Sequence, residues 1–311
     1  MLRRSLLAMS ESARLRRLIS TAPYTAGVVA RFVAGETAVE AEAATERLRA
    51  DGLLVTLDHL GEDTTQPEHA AAAADEYIRM IERLARAGLT GGGCAEVSVK
   101  PTAMGLRLAA QGEKTAAGHI ARICAAARAA GTTVTVDMED HETVDATLRI
   151  VAELRSDFAD LGCVIQSYLR RSERDCAQLA QPGYRVRLCK GAYSAPEDVA
   201  YPTRQQVDRS YARCLRVLMA GHGLPMIATH DPRLIKIAAA QATLAGRPAD
   251  SYEFQMLYGV SPAGQRRLAD SGTQVRVYVP YGSDWYSYLV RRLAERPANL
   301  MFFLRALASR R

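Results

Sequence analysis

The chain has 311 residues, 48% hydrophobic and 24% charged, an ordinary globular balance that excludes a disordered or fibrous protein. Its net charge of +6 is mild, and no basic stripe is interleaved with aromatic residues, which argues against a nucleic-acid partner. No run reaches the roughly 18 apolar residues that a membrane-spanning helix needs, and the six cysteines lack C-x-x-C or histidine spacing, so no metal site is expected.

Residues 1–50 are rich in Ala and Arg, and their pattern predicts helices over 3–19, 24–33 and 36–50. Pro23 and Gly35 separate them, and Glu36-Thr37 opens the third. This stretch reads as an N-terminal helical arm, too short to bury much core alone. Its first residues have a short apolar run followed by Glu11 and three arginines, which speaks against an export signal. With cysteines in apolar surroundings, a cytoplasmic location follows, with contact at the inner face of a membrane left open by the basic arm.

From residue 52 a different rhythm begins. Short β-branched runs at 53–58, 96–100, 133–137, 164–168, 185–190, 226–230, 252–257 and 275–279 predict strands. Helical patterns follow them at 68–88, 113–130, 141–157, 172–181, 202–221, 232–245, 261–271 and 283–296. Strands alternating with helices imply a parallel sheet, and eight such units over about 250 residues imply an α/β fold closed as a (βα)8 TIM-like barrel over 51–311. An open doubly wound sheet would show a G-x-G-x-x-G turn after its first strand. Here that turn is His59-Leu60-Gly61-Glu62, and Gly91-Gly92-Gly93 precedes a strand instead.

In such a barrel, chemistry sits at the C-terminal strand ends. Strand one ends in Asp58, two in Lys100, three in Asp137-Met138-Glu139, and four carries Gln166 and Tyr168. Strand five ends Arg187-Leu188-Cys189-Lys190-Gly191-Ala192, and six ends Thr229-His230-Asp231. Strand seven carries Glu253, Gln255 and Leu257, and strand eight carries Tyr278. One polar strand end means little; eight converging on one mouth point to a site. Lys100 and Asp137 lie on neighbouring strands and are expected to pair, as a functional couple or a structural one. Arg187, Lys190 and Gly191 combine cations with close backbone approach, suited to a phosphate or an electron-rich ring. Past strand eight, Tyr288, Arg291, Arg292 and Glu295 fall at i, i+3, i+4 and i+7, on one helix face. Two adjacent guanidiniums grip a carboxylate; a solvated, salt-bridged face is the plainer reading.

These residues carry a resemblance over residues 50–300. Leu60-Gly61-Glu62, Val97-Ser98-Val99-Lys100-Pro101, Val136-Asp137-Met138-Glu139, Ile165-Gln166-Ser167-Tyr168-Leu169, the stretch from Arg185 to Tyr193, Ala228-Thr229-His230, the stretch from Glu253 to Gly259 and that from Tyr288 to Glu295 resemble the proline dehydrogenase family, in its short monofunctional form. The resemblance implies a distorted barrel holding FAD. It implies oxidation of L-proline to Δ1-pyrroline-5-carboxylate, with electrons passed to a membrane quinone and the product to a separate pyrroline-5-carboxylate dehydrogenase. Carried over residue by residue, Arg291, Arg292 and Lys100 would bind the proline carboxylate, and Asp137 would orient Lys100. Tyr278, Tyr288 and Leu257 would wall the ring, with Tyr278 favouring proline over hydroxyproline. Arg187 would sit beside the flavin ring. Gln166, Lys190, Gly191, Ala192, Thr229 and His230 would hold the flavin and its diphosphate, with Val134 underneath by backbone contact. Tyr193 and Gln255 would add cofactor contacts, and Glu62 would pair with Arg291 as a gate. The stretch Tyr281-Gly282-Ser283-Asp284-Trp285-Tyr286 is richer in aromatics than the resemblance leads one to expect.

Three other readings remain open from the residues alone. One is a hydroxyproline or other cyclic amino-acid dehydrogenase of the same fold. Another is a barrel aldolase forming a Schiff base on Lys100 or Lys190. The third is a barrel that only binds an anionic ligand.

Overall fold

Eight parallel strands pair in sequence order and close on themselves in the computed structural model, which describes residues 25–286, 288 and 289. The strands are β1 (Leu54–His59), β2 (Ala95–Val99), β3 (Val134–Val136), β4 (Gly162–Gln166), β5 (Arg185–Cys189), β6 (Leu224–Ala228), β7 (Glu253–Leu257) and β8 (Val275–Tyr281). Closure runs through Val55 opposite Val277 and Leu57 opposite Val279. The expected (βα)8 barrel is the observed fold.

The helices are α1 (Thr25–Phe32), α2 (Ala38–Ala50), α3 (Pro67–Arg86), α4 (Gly112–Ala129), α5 (Val144–Leu154), α6 (Ser172–Leu179), α7 (Arg204–Ala220), α8 (Pro232–Leu244) and α9 (Pro262–Asp270). Their starts follow local chemistry. Thr37 and Glu40 form a reciprocal capping box at α2, as do Thr203 and Gln206 at α7. Pro occupies the first turn of α3, α8 and α9, where no backbone donor is lost. Residues 285, 286, 288 and 289 are helical after β8. The helix expected over 3–19 and the remainder of the last one lie outside the described residues, as do Arg291, Arg292 and Glu295.

Seven helices follow β1 to β7 around the wall. The position between β8 and β1 is taken by α2, which comes from the N-terminal stretch and packs against both strands. Its Ala41, Ala44 and Thr45 are buried. The backbone just before it is tied to the end of β8 through Ala34 N–H to Pro280 O (2.9 Å) and Gly282 N–H to Gly35 O (3.0 Å).

Strand alternation divides the side chains into two sets. Val55, Leu57, Val97, Val99, Val134, Val136, Leu188, Ile227 and Val277 join the apolar shell under the helices. The opposite set is polar and meets across the barrel. Glu96 of β2 contacts Arg185 of β5 and Arg276 of β8, strands that do not neighbour β2, so these side chains cross the interior. Four carboxylates (Asp58, Glu96, Asp137, Glu253) and four cations (Lys100, Arg185, Arg187, Arg276) fill it with paired charge.

Candidate active site

The lower layer is centred on Glu96, fully buried. It accepts from Thr56 (2.8 Å), Thr133 (2.7 Å) and Arg185 (2.5 Å). Burial alone would raise its pKa, but the guanidiniums of Arg185, Arg276 and Arg187 outweigh it and hold the carboxyl well below the usual range. This layer is a floor of fixed charge beneath the mouth.

The upper layer carries the candidate chemistry. Lys100 Nζ lies 2.5 Å from Asp58 Oδ1, both groups buried. The expected Lys100–Asp137 pair is therefore corrected: the partner of Lys100 is Asp58. Asp137 has its oxygens taken elsewhere. Its Oδ1 accepts from Ser98 Oγ (2.7 Å) and Arg187 Nη1 (2.6 Å), and its Oδ2 from the Tyr278 hydroxyl (2.7 Å). The two acids still act together. Burial would strip the Lys100 ammonium of its proton, but the charges of Asp58 and Asp137 more than offset this and raise its pKa. Arg187 is 4% exposed. Its Nε donates to Gln255 Oε1 at 2.5 Å, its Nη1 also reaches Ser98, and its Cζ stands 5.2 Å from the Tyr278 ring centroid. Its Nη2 is buried, makes no hydrogen bond among the described residues, and faces Glu96 Oε1 at 3.8 Å.

The other expected residues ring the same mouth. Gln166 is buried, and its Nε2 donates to the Glu139 carbonyl at 2.6 Å. Lys190 is half-buried, with Nζ 2.5 Å from Asp208 and 3.4 Å from Asp231. Gly191 has φ +95, and a Cβ there would run into the Tyr168 ring. Ala192 follows it, half-buried. Thr229 Oγ1 accepts the Asp231 N–H (3.1 Å), part of the turn into α8. His230 Nε2 accepts the Leu257 N–H at 3.0 Å, which places its proton on Nδ1 and ties β6 to β7. Leu257 lies at the end of β7, Tyr278 on β8, and Tyr288 is buried just beyond. The Val134 side chain points into the apolar shell, leaving only its backbone toward the interior. The expected Glu62–Arg291 gate falls partly outside the described residues.

Sequence reading assigned no role to four participants. Asp58 was visible as a strand end without a partner. Ser98 and Glu96 sit on the same face of β2 as Lys100, two and four residues back, so the period of two was the available signal. Glu139 is the fourth. It is buried, accepts from Thr102 N–H (2.8 Å) and Thr102 Oγ1 (2.6 Å), and burial pushes its pKa up to about 7.

The donor set suits a flavin dinucleotide. Arg187 supplies a buried cation held by Asp137, Gly191 lets backbone approach where a side chain would not fit, and Lys190 supplies a second cation beside it. A buried lysine at the mouth suits a small carboxylate.

A family model described as Proline dehydrogenase matches residues 41–305. Proline dehydrogenase 1 of Bacillus subtilis (strain 168) is 36% identical over 307 residues, covering 99% of this chain and 99% of that protein. The proline dehydrogenase of Deinococcus radiodurans is 36% identical over 307 residues, covering 98% and 97%. Among solved structures, proline utilization A from Bdellovibrio bacteriovorus, inactivated by N-propargylglycine, matches with a TM-score of 0.78 at 26% identity. That match covers 86% of this chain and 32% of the solved one, so this chain spans about a third of its length.

Proposed function

The chain belongs to the proline dehydrogenase family, and from that premise we propose that it oxidises L-proline to Δ1-pyrroline-5-carboxylate using FAD, with a membrane quinone as electron acceptor. The observation that carries this reading is the upper layer of the barrel. There Lys100 is kept charged by Asp58 and Asp137, and Arg187 is held against Asp137. A buried ammonium binds a carboxylate strongly because little water competes for it.

Each residue has a physical task. Lys100 takes the substrate carboxylate, joined by Arg291 and Arg292. Leu257, Tyr278 and Tyr288 exclude water from the ring and fix its orientation, which lowers the entropy left to lose on reaction. The Tyr278 hydroxyl is held by Asp137, and a ring fixed there favours proline over hydroxyproline. Gln166, Lys190, the backbone at Gly191 and Ala192, Thr229 and His230 hold the FAD. Bound there, FAD supplies the two-electron acceptor that no side chain provides. Arg187 presents positive charge where negative charge develops.

The substrate amine must shed its proton before oxidation, and a secondary amine, like a lysine ammonium, is protonated at neutral pH. Turnover is therefore expected to rise from pH 6 to 9. A profile falling over that range would count against the mechanism.

A Schiff-base aldolase on Lys100 is disfavoured by the same geometry. Such a lysine needs a lowered pKa, and Asp58 and Asp137 push Lys100 the other way. Among the described residues no helix is long and apolar enough to cross a membrane; quinone reduction then calls for peripheral contact, which the positive net charge favours. The product is the cyclic imine of an aldehyde, so a pyrroline-5-carboxylate dehydrogenase acting next is expected. Anaerobic titration with L-proline tests the whole reading: the flavin absorbance should bleach stoichiometrically. Colourless protein, or flavin untouched by proline, would end it.

A further inference from the structure

The aromatic stretch after β8 has a specific partner. Trp285 is the only tryptophan in the chain and is 7% exposed. Its Nε1–H donates to Glu36 Oε1 at 2.8 Å, a contact across the N-terminal segment. Trp285, Tyr286, Tyr288 and Leu289 form one buried cluster with Phe32 and Val33 at the end of α1 and Leu60 after β1. The same N-terminal segment is fastened at two further points. Ala34 and Gly35 bond the backbone of Pro280 and Gly282. Arg31 lies against Gly259, where φ is +69 and any Cβ would overlap the Arg31 carbonyl oxygen. Gly259 stands two residues after Leu257, and Pro280 two after Tyr278.

Residues 31–36 thus touch all three elements that wall the substrate in the reading above: the end of β7, the end of β8 and the start of the last helix. We infer that Glu36 and Trp285 are positioning residues for substrate binding, because their hydrogen bond fixes the start of the helical stretch after β8 that carries Tyr288. Neither touches the cofactor side of the mouth, where Lys190, Gly191 and Thr229 lie. The coupling therefore acts on proline and leaves FAD alone. The inference rests on the proposed proline dehydrogenase activity.

The test compares wild type, Glu36→Ala, Glu36→Gln and Trp285→Phe as holoenzymes. Gln keeps an acceptor oxygen; Phe keeps the ring and removes the donor. Proline kinetics are measured together with flavin content and, by calorimetry, the Kd for cyclopentanecarboxylate, a ring carboxylate with no nitrogen to oxidise. Glu36 is exposed, so the loss expected of this hydrogen bond is that of an ordinary one, about five- to tenfold. Glu36→Ala and Trp285→Phe should therefore raise KM and Kd about five- to tenfold, with kcat and flavin content within about twofold of wild type. Glu36→Gln should restore both constants. Unchanged KM and Kd with only a lower Tm would overturn the inference, because a purely structural bond would behave that way. Wild-type flavin that proline fails to bleach would instead overturn the functional reading, and this inference with it.

Discussion

Asp137 and Glu139 sit two residues apart on one strand end, yet their environments give them opposite tasks. Asp137 receives Arg187, Ser98 and Tyr278, so its charge is matched. Removing it leaves the Arg187 guanidinium buried without its principal counter-charge. Asp137→Ala should cost about 3–5 kcal/mol of stability, read as a lower urea midpoint, with loss of the Tyr278 orientation. Glu139 receives two hydrogen bonds from Thr102, and burial dominates, placing its pKa at about 7. A carboxyl raised on folding from its ordinary 4.5 binds more protons in the native state. Its effect is absent below pH 4.5 and grows as a penalty as pH rises to 7. Glu139→Gln removes the titration. Relative to wild type it should gain stability on going from pH 5 to pH 8, by up to about 3 kcal/mol. A difference in Tm that does not change with pH would show that the carboxyl does not titrate in this window.

At the scale of elements, polar side chains tie the strand ends to one another. His230 bridges β6 to β7, Arg187 bridges β5 to β3 and β7, and Lys100 bridges β2 to β1. The mouth is rigid because its polar groups are cross-linked between strands. The β5 end is the most constrained, since Gly191 turns the chain at φ +95 against the face of Tyr168. Gly191→Ala forces a side chain into left-handed backbone and into that ring, a strain of about 1–3 kcal/mol before the clash is counted. The chain must shift by displacing the loop that carries Lys190. Flavin content after gel filtration should fall sharply, while the apoprotein keeps its far-ultraviolet circular dichroism. Full flavin content would show that the backbone at 191 does not approach the cofactor. The alternating pattern that made this layer legible also had a blind side. Period two separates inward from outward positions, so Lys100, Asp137, Arg187 and Gln255 were readable as one interior set. It says nothing about which acid meets which base. Lys100 and Asp137 are on adjacent strands, but Asp58 on the other side of β2 wins because Arg187 reaches across from β5 and occupies Asp137. A contact made across a closed barrel depends on closure itself, which no local pattern encodes.

For the whole molecule, the expected fold was legible because eight strand–helix units repeat one local rule. The element that broke the rule was not. The helix ring of this barrel is completed by α2, which the sequence places before β1, while Trp285, Tyr286, Tyr288 and Leu289 after β8 pack against Phe32, Val33 and Leu60. Residues 36–50 read as part of an arm because composition there matches the residues before it, and only packing reveals that Ala41, Ala44 and Thr45 face β1 and β8. Two truncations separate the roles of the N-terminal stretch. A chain beginning at Glu36 retains α2 with its Thr37–Glu40 capping box, so the wall stays closed. It should unfold cooperatively and bind FAD, but with a raised KM for proline, because residues 31–35 no longer fasten β7 and β8. A chain beginning at Asp51 opens the wall between β8 and β1 and exposes Leu53, Val55 and Val277 of the apolar shell. Exposed parallel strands with apolar faces associate with one another, so this shorter chain should aggregate and show no cooperative transition. Scanning calorimetry and gel filtration on the two proteins check this. If the chain beginning at Asp51 folds as a monodisperse flavoprotein, α2 is dispensable, and the barrel closes its eighth position with residues from the C-terminal end instead.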